Sequence, residues 1–187
     1  MMNSYFRRQL ADYVEYHRDP TNCTMHVFGI LCLFLAAVLP LSTVSITRFG
    51  AWSNLASVAV LPVLIYWLLL DTSLGMAIVA AAVMLLATAL IIVNHASLVV
   101  MWLITVTLIV IGIMFQVVGH RVFERRQPAL VDNPSHLLLG PIFVMAKLFI
   151  AMGFRGDLAA IISKDLNASR GSIITSGERQ GDPQPHP

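Results

Sequence analysis

Four of the six histidines in this 187-residue chain gather at one expected end of its long apolar runs. His17 and His26 lie just before, or at the start of, the first run. His120 lies where the last run ends, and His136 comes sixteen residues later. Each has polar company at helical spacing. Asn22 and His26 are four apart, so one face of a helix presents both. Gln116, His120 and Glu124 fall at i, i+4 and i+8, a polar stripe on an otherwise apolar helix. Neutral imidazoles with a carboxylate suit Fe(II) or Zn(II), so the chemistry in view is that of a metal centre. Glu124 has two roles open to it: metal ligand, or acceptor of the His120 Nδ1 proton that fixes the ring's tautomer. Asp132-Asn133-Pro134 reads as a helix start with His136 in the first turn.

Singly, these residues have bland explanations. A histidine at a membrane interface is ordinarily a snorkelling polar side chain, and a lone Gln116 serves to hydrogen-bond across helices. Arg121, Arg125 and Arg126 read as topology determinants facing lipid phosphates. Convergence changes the weighting, because four histidines and a carboxylate from three segments meet at one face. His95 is excluded from the cluster: it sits in a hairpin expected on the opposite face, roughly 30 Å away. His186, in the polar tail, is expected to be inert. Cys23 and Cys32 are too few for a disulfide framework and lack metal-ligand spacing, and Cys32 reads as a small hydrophobe inside an apolar run.

The elements that must hold these residues are set by composition. The chain is 57% apolar and 12% charged, with mean hydropathy +0.77. Residues 27–119 carry only two formal charges, Arg48 and Asp71. No water-soluble surface is that poor in charge, so the expected class is an all-α polytopic membrane protein. A net charge of +2 without a basic stripe excludes nucleic acid as a partner. Some 26 polar and mixed residues precede the first run, so no cleavable signal peptide is expected. Four runs approach the ~20 residues that cross a bilayer: about Val27–Ile46, Trp52–Leu70, Leu74–Asn94 and Leu98–Val118. The links Thr47–Ala51, Asp71–Ser73 and His95–Ser97 are short, which predicts an antiparallel four-transmembrane-helix bundle. Gly75, Ala77, Ala80, Ala81 and Ala82 give the third span a small-residue face, and Pro40 and Pro62 predict kinks.

Arg7, Arg8 and Arg18 precede the first span and Arg121, Arg125 and Arg126 come after the fourth, which predicts both termini on the cytoplasmic side. Phe6, Leu10, Tyr13, Val14 and His17 recur at spacings of three and four, so Ser4–His17 reads as an amphipathic helix. Leu137–Phe154, broken by Gly140-Pro141 and carrying Lys147, reads as a re-entrant or interfacial helix. A central Lys costs about 2.5–3.5 kcal/mol on insertion scales, which disfavours a fifth span. Residues 1–162 thus read as one membrane-embedded domain that carries the candidate site, and 163–187 as a polar tail expected to be disordered.

Two segments carry a resemblance. Tyr16-His17-Arg18-Asp19-Pro20-Thr21-Asn22-Cys23-Thr24-Met25-His26 has the form Y-H-x-x-P-x-N-x-x-x-H. The stretch from Phe115-Gln116 through Gly119-His120 and Phe123-Glu124 to Pro128-Ala129-Leu130 has the form F-Q-x-x-G-H-x-x-F-E-x-x-x-P-A-L. With Asp132-Asn133 and Gly140-Pro141-Ile142-Phe143, these resemble the Fe(II)-dependent 2-hydroxy fatty acid dioxygenases, whose fungal members act in phytosphingosine breakdown and which have bacterial relatives. The resemblance spans about Tyr5 to Gly153, although the intervening spans match only in hydropathy. It implies Fe(II) as cofactor, metal-binding roles for His17, His26 and His120, and places for Asn22 and Glu124 as candidate catalytic residues. Where the family tends to carry Leu and a Gln after Asp132-Asn133, this sequence reads Pro134-Ser135-His136. His136 therefore stands as an additional candidate metal ligand, completing the coordination or replacing a polar supporting residue.

The implied reaction is R–CH(OH)–COOH + O2 → R–COOH + CO2 + H2O, with 2-hydroxy fatty acid and O2 as partners and the bilayer as milieu. It closes without an external reductant, in keeping with the lack of a flavin, haem or 2-oxoglutarate motif. A bacterial inner membrane is the expected location, or the endoplasmic reticulum in a eukaryote; an oligomer stays open. Two alternatives remain: a non-catalytic membrane protein (transporter or scaffold) with structural zinc, and a membrane di-iron lipid hydroxylase. The second typically needs about eight histidines in paired boxes, more than this chain clusters. A transporter would favour ionisable groups near the bilayer midplane, which these spans lack.

Overall fold

A computed structural model of the chain describes residues 4–15, 19–46, 53–124 and 136–160, apart from the side chains of Glu124, His136, Leu137 and several residues of the first helix. His17, Arg125, Arg126, Asp132, Asn133 and the tail lie outside the described residues. The described part is helical throughout: α1 (Ser4–Glu15), α2 (Pro20–Ser42), α3 (Leu55–Leu70), α4 (Thr72–His95), α5 (Leu98–Val118), a π-helical turn (Gly119–Glu124) and α6 (His136–Ala151).

The helix starts arise from local chemistry. Each apolar helix from α2 to α5 begins at a side chain that accepts from its first free amides, groups that would otherwise be left bare. Asp19 accepts from the Thr21 and Asn22 amides at 2.7 and 3.1 Å, with Pro20 at the first helical position. Asn54 and Ser57 form a reciprocal capping box. Asp71 accepts from the Leu74 amide at 3.0 Å, and Ser97 caps α5. The expected tight links are present: Asp71 alone joins α3 to α4, and Ala96-Ser97 joins α4 to α5. Between α2 and α3, the Ile46 amide bonds the Ser53 carbonyl and the Leu55 amide the Val44 carbonyl, which closes the base of the link.

Three described helices are long and apolar enough to cross a membrane: Pro20–Ser42, Thr72–His95 and Leu98–Phe123. Because Asn54 caps α3, the second apolar run becomes a 16-residue helix, about 24 Å long at 1.5 Å per residue. The run around Gly140-Pro141 does not break; α6 continues through Pro141 for 16 residues. Pro40 and Pro62 also lie inside their helices. The small-residue face of α4 is only partly used, since Ala80 is exposed. Close approach is concentrated at Gly75, where a Cβ would fall 2.7 Å from Leu68 Cα.

Two cores hold the helices, one at each end. At one end Val38 and Leu39 of α2, Ala56 of α3, Ala89 of α4 and Met101 of α5 pack together. At the other, Trp67 and Leu70 of α3 and Leu74 and Ile78 of α4 meet Phe6, Leu10 and Tyr13 of α1 and Leu139, Ile142, Phe143 and Ala146 of α6. The expected apolar face of α1 is therefore the buried one, with Arg7 and Arg8 exposed. The Trp67 indole donates to the Leu138 carbonyl at 2.6 Å, tying α3 to α6. Most of α5 turns apolar side chains outward, among them Val99, Leu103, Val106 and Ile113. A predominantly apolar exterior is the composition of a lipid-facing helix.

Asp71 also closes the end with α6. Arg155, just beyond α6, donates to both Asp71 oxygens at 2.9 Å and to both oxygens of Asp157 at 2.9 Å. Burial works against the ionised Asp71, but the hydrogen bonds from Arg155 and from the Leu74 and Ser73 amides outweigh it and hold its pKa below the usual carboxylate range. Asp71→Asn keeps a capping side chain but breaks the pair, and is expected to cost about 2–4 kcal/mol. Asp157→Asn, at a 52% exposed side chain, should cost under about 1 kcal/mol. A carboxylate with a lowered folded pKa stabilises fully above about pH 4 and loses that contribution as pH falls through its folded value. Thermal unfolding in detergent from pH 7 to pH 3 should therefore show a steeper acid loss for the parent chain than for Asp71→Asn; parallel curves would remove Asp71 from the account.

Candidate functional site

The site starts from a close approach of backbones. α2 and α5 run antiparallel and touch at Gly29 and Gly112, where a Cβ on either would fall 3.1 Å from the other's carbonyl oxygen. Seven residues back along α2 is Asn22, and seven forward along α5 is Gly119. There Asn22 Oδ1 occupies the space that a side chain at 119 would need. Between the two contacts Gln116 Nε2 donates to the His26 carbonyl at 3.3 Å, bonding the helices across the seam. Asn22 is completely buried.

At Gly119 the helix widens into a π turn that runs to Glu124. An i, i+4, i+8 stripe assumes α geometry throughout, whereas the π turn bonds i to i+5 and rotates the residues beyond it to a new bearing. Residue 124 therefore does not continue the Gln116–His120 line as α spacing predicts. His120 is 1% exposed, and its ring stands edge-on to that of His26, with centroids 5.6 Å apart and planes at 85°. π turns of this kind occur often at functional sites.

The third wall comes from α1 and α6. Tyr13 Oη and His26 Nε2 share a hydrogen bond of 2.7 Å, and the Tyr13 ring packs 4.8 Å from that of Phe143. Burial, then the neighbouring Cys23, raise the Tyr13 pKa well above its ordinary value, so the phenol keeps its proton. Gly140 of α6 closes on the same point. A Cβ there would meet Ile30 Cδ1 at 2.7 Å and approach Tyr13 Oη to 3.4 Å and His26 Nε2 to 3.6 Å. The missing side chain is what lets α6 pack this closely on Ile30, Tyr13 and His26.

Of the residues singled out in the sequence, the structure thus brings together Asn22, His26, Gln116 and His120. His17 lies outside the described residues. Glu124 and His136 are placed by their backbones alone, on the π turn and at the start of α6. His95 ends α4 at the opposite end of the bundle, exposed, with Nδ1 2.8 Å from the Ile91 carbonyl. Arg121 is exposed. Tyr13 and Gly140 also line the site beside His26, though neither is singled out in the sequence as a ligand or catalytic candidate. Tyr13 leaves a faint signal, a hydroxyl on the apolar face of an amphipathic helix that needs a buried partner.

Among the described residues no group of three or more His, Cys, Asp or Glu is placed to share a metal ion. Two neighbouring imidazoles are nonetheless the donor chemistry of a borderline divalent cation such as Fe(II) or Zn(II).

Fold and site together define a class: an α-helical protein with helices long and apolar enough to cross a membrane, and a buried, histidine-bearing polar site at one end of the bundle. The family described as "2-hydroxy-palmitic acid dioxygenase Mpo1-like" matches residues 3–152. The chain is also 32% identical over 176 residues to the 2-hydroxy-palmitic acid dioxygenase MPO1 of Saccharomyces cerevisiae, covering 89% of this chain and 92% of the yeast protein. The chain belongs to the Mpo1-like family. No solved structure matches it.

The Asn22–Gly119 contact is directly testable. Gly119→Ala should displace Asn22 and cost about 1–3 kcal/mol as an overpacked core does. Gly156→Ala, with nothing within 4 Å of the added Cβ, should stay within about 0.5 kcal/mol of the parent. Unfolding midpoints in detergent decide it, and equal midpoints for the two variants would contradict the close seam.

Proposed function

We propose that the protein is an Fe(II)-dependent 2-hydroxy fatty acid dioxygenase that shortens its substrate by one carbon. The observation that carries this reading is the convergence of His26 and His120 at one end of the bundle, in a chain that matches the family from residue 3 to 152. The substrate class is taken from the name of the yeast relative, a 2-hydroxy-palmitic acid dioxygenase.

In this reading His26 and His120 hold the metal together with His17, and Glu124 and His136 are the further candidates. Iron(II), when bound, supplies the capacity to activate O2. The chain's own groups prepare the site. Tyr13 fixes the ring of His26 through its 2.7 Å hydrogen bond, and Gln116 ties the His26 backbone to α5. Asn22 fills the seam beside Gly119 and offers an amide near His120 for orienting a polar head. Phe143 and the apolar faces of α1 and α6 exclude water from the reacting end. Cleavage of C1 from C2 gives R–COOH, CO2 and H2O from R–CH(OH)–COOH and O2, with all atoms and electrons accounted for.

The same reading sets the topology. α3 completes a fourth crossing, α6 lies at the interface, and both termini are cytoplasmic. The Arg155–Asp71 pair supports this, because it joins the α3–α4 link to the end that carries α1 and α6. The exposed Arg7, Arg8 and Arg121 add positive charge to that end. A cysteine introduced at Ala96 should resist a membrane-impermeant thiol reagent applied from the cytoplasmic side of sealed vesicles. Labelling there at the rate seen in detergent would invert the orientation.

Anaerobic purification, then addition of Fe(II), 2-hydroxypalmitate and O2, should release C1 as CO2 and leave the C15 acid, with no turnover on Zn(II). His17→Ala, His26→Ala and His120→Ala should each lower the rate by about 100-fold or more, beyond the 10–100-fold typical of outer-shell partners. His95→Ala should retain most of it. Stoichiometric zinc with no product from 2-hydroxy acids of several lengths would replace the enzyme reading with a structural zinc site.

A further inference from the structure

Beside His26 a cavity of about 160 Å³ opens between α2 and α6, lined by Cys23, Thr24, His26 and Val27 on one side and Phe143 and Lys147 on the other. Among the described residues its walls are mostly apolar, and Lys147 is the only formally charged group. The Lys147 ammonium is half-buried, donates to Cys23 Sγ at 2.8 Å, and stands 5.0 Å over the Phe143 ring. A thiol and an aromatic face accept from an ammonium without neutralising it. Among the described residues Lys147 makes no ion pair; those present join Arg155 to Asp71 and Asp157. A cation held against an apolar wall is costly unless an anion joins it.

We propose that this cavity is the subsite for the substrate's carboxylate, with Lys147 as its counter-ion. The inference rests on the reading of the substrate as a 2-hydroxy fatty acid. The volume suits the two-carbon head, and the exposed Thr24 marks the rim across which the acyl chain leaves toward lipid. A carboxylate on Lys147 places C2 and its hydroxyl toward His26, on the opposite wall of the same cavity. The arrangement selects acids over the corresponding alcohols, because an uncharged head leaves the ammonium uncompensated.

The test uses full-length protein in a neutral detergent, as parent, Lys147→Met and Lys147→Arg. Binding to the metal-free protein is read from ligand-induced shifts of the unfolding midpoint with 2-hydroxypalmitate, 1,2-hexadecanediol and hexadecyl phosphate. The parent should bind the acid about tenfold or more tighter than the diol, as expected for a charge-assisted contact. Lys147→Met should lose that preference while binding the diol as the parent does, which also shows that it is folded; Lys147→Arg should retain it. With the iron-loaded protein, Lys147→Met should raise KM by about tenfold or more and leave kcat within about threefold. A folded Lys147→Met that keeps the acid preference overturns the proposal, as does tighter binding of hexadecyl phosphate than of the acid by the parent. Lys147-dependent acid binding without CO2 release would uphold the subsite and remove the dioxygenase reading. CO2 release indifferent to Lys147 would do the reverse.

Discussion

The contact on which the rest depends is that of two backbones, α2 against α5 at Gly29 and Gly112. In a bilayer, apolar side chains gain little by leaving lipid for one another, so helices associate where small residues let main chains approach and interlock. Here the approach is close enough that a methyl group on either glycine would press on the facing carbonyl at 3.1 Å and collide with Gln116 Nε2 or the Leu33 side chain. The seam then repeats seven residues on, with Gly119 making room for Asn22. A seven-residue interval keeps the same face turned to a neighbouring helix. The seam therefore carries the polar residues on one line: Gln116 bonds the His26 carbonyl midway, and His120 comes directly after Gly119. The pairing of the two imidazoles is a consequence of how the glycines set the helices.

Such a seam would bury its polar groups only at the cost of their hydration, and the structure answers that at one end alone. Val38, Leu39, Ala56, Ala89 and Met101 close the far end with apolar packing between short links. The site end has two additional elements, α1 and α6, that are not needed to complete the α2–α5 packing. They bring the aromatic and apolar cover of Phe6, Leu10 and Phe143, and they bring Tyr13, whose hydroxyl meets the His26 ring. The same end is locked by the Arg155 bridge to Asp71 and by the Trp67 bond to the Leu138 carbonyl. A buried polar group gains from a fixed partner and loses when the partner wanders. That is the physical reason for so many ties around α6.

How much of this is legible in the sequence depends on the range of each interaction. Asn22 with His26, and Gln116 with His120, are separated by one helical turn, so spacing alone puts each pair on one face. The caps at Asp19, Asn54, Asp71 and Ser97 are local too, and they account for the short links. Tyr13 with His26 and Lys147 with Cys23 are pairs 13 and 124 residues apart, joined only by packing. The stripe ending in Glu124 presumes α spacing, and no feature of Gly119-His120-Arg121 announces the wider π turn. Lys147 looks like an insertion penalty as long as its helix is considered alone, and becomes a cavity wall once α6 packs on α2. Asp71 and Arg155 look like isolated charges in the sequence and become a pair only when the chain beyond α6 returns to the α3–α4 link.

These long-range ties explain why a polar site of this kind belongs at the membrane's edge rather than at its centre. At the midplane every donor and acceptor must find a protein partner, and a lysine such as Lys147 would carry the full penalty of its charge. At the end of the bundle α1, an amphipathic helix with exposed Arg7 and Arg8, supplies an apolar floor on one face and solvated charge on the other. An amphiphile with a charged head and a long chain meets the same division of environments. The outward apolar side chains of the helices match such a chain, and the end where imidazole, phenol, amide and ammonium groups are concentrated matches such a head. The glycine seam that places His26 beside His120 also ends at that level, so the packing of the helices itself sets where the polar groups collect.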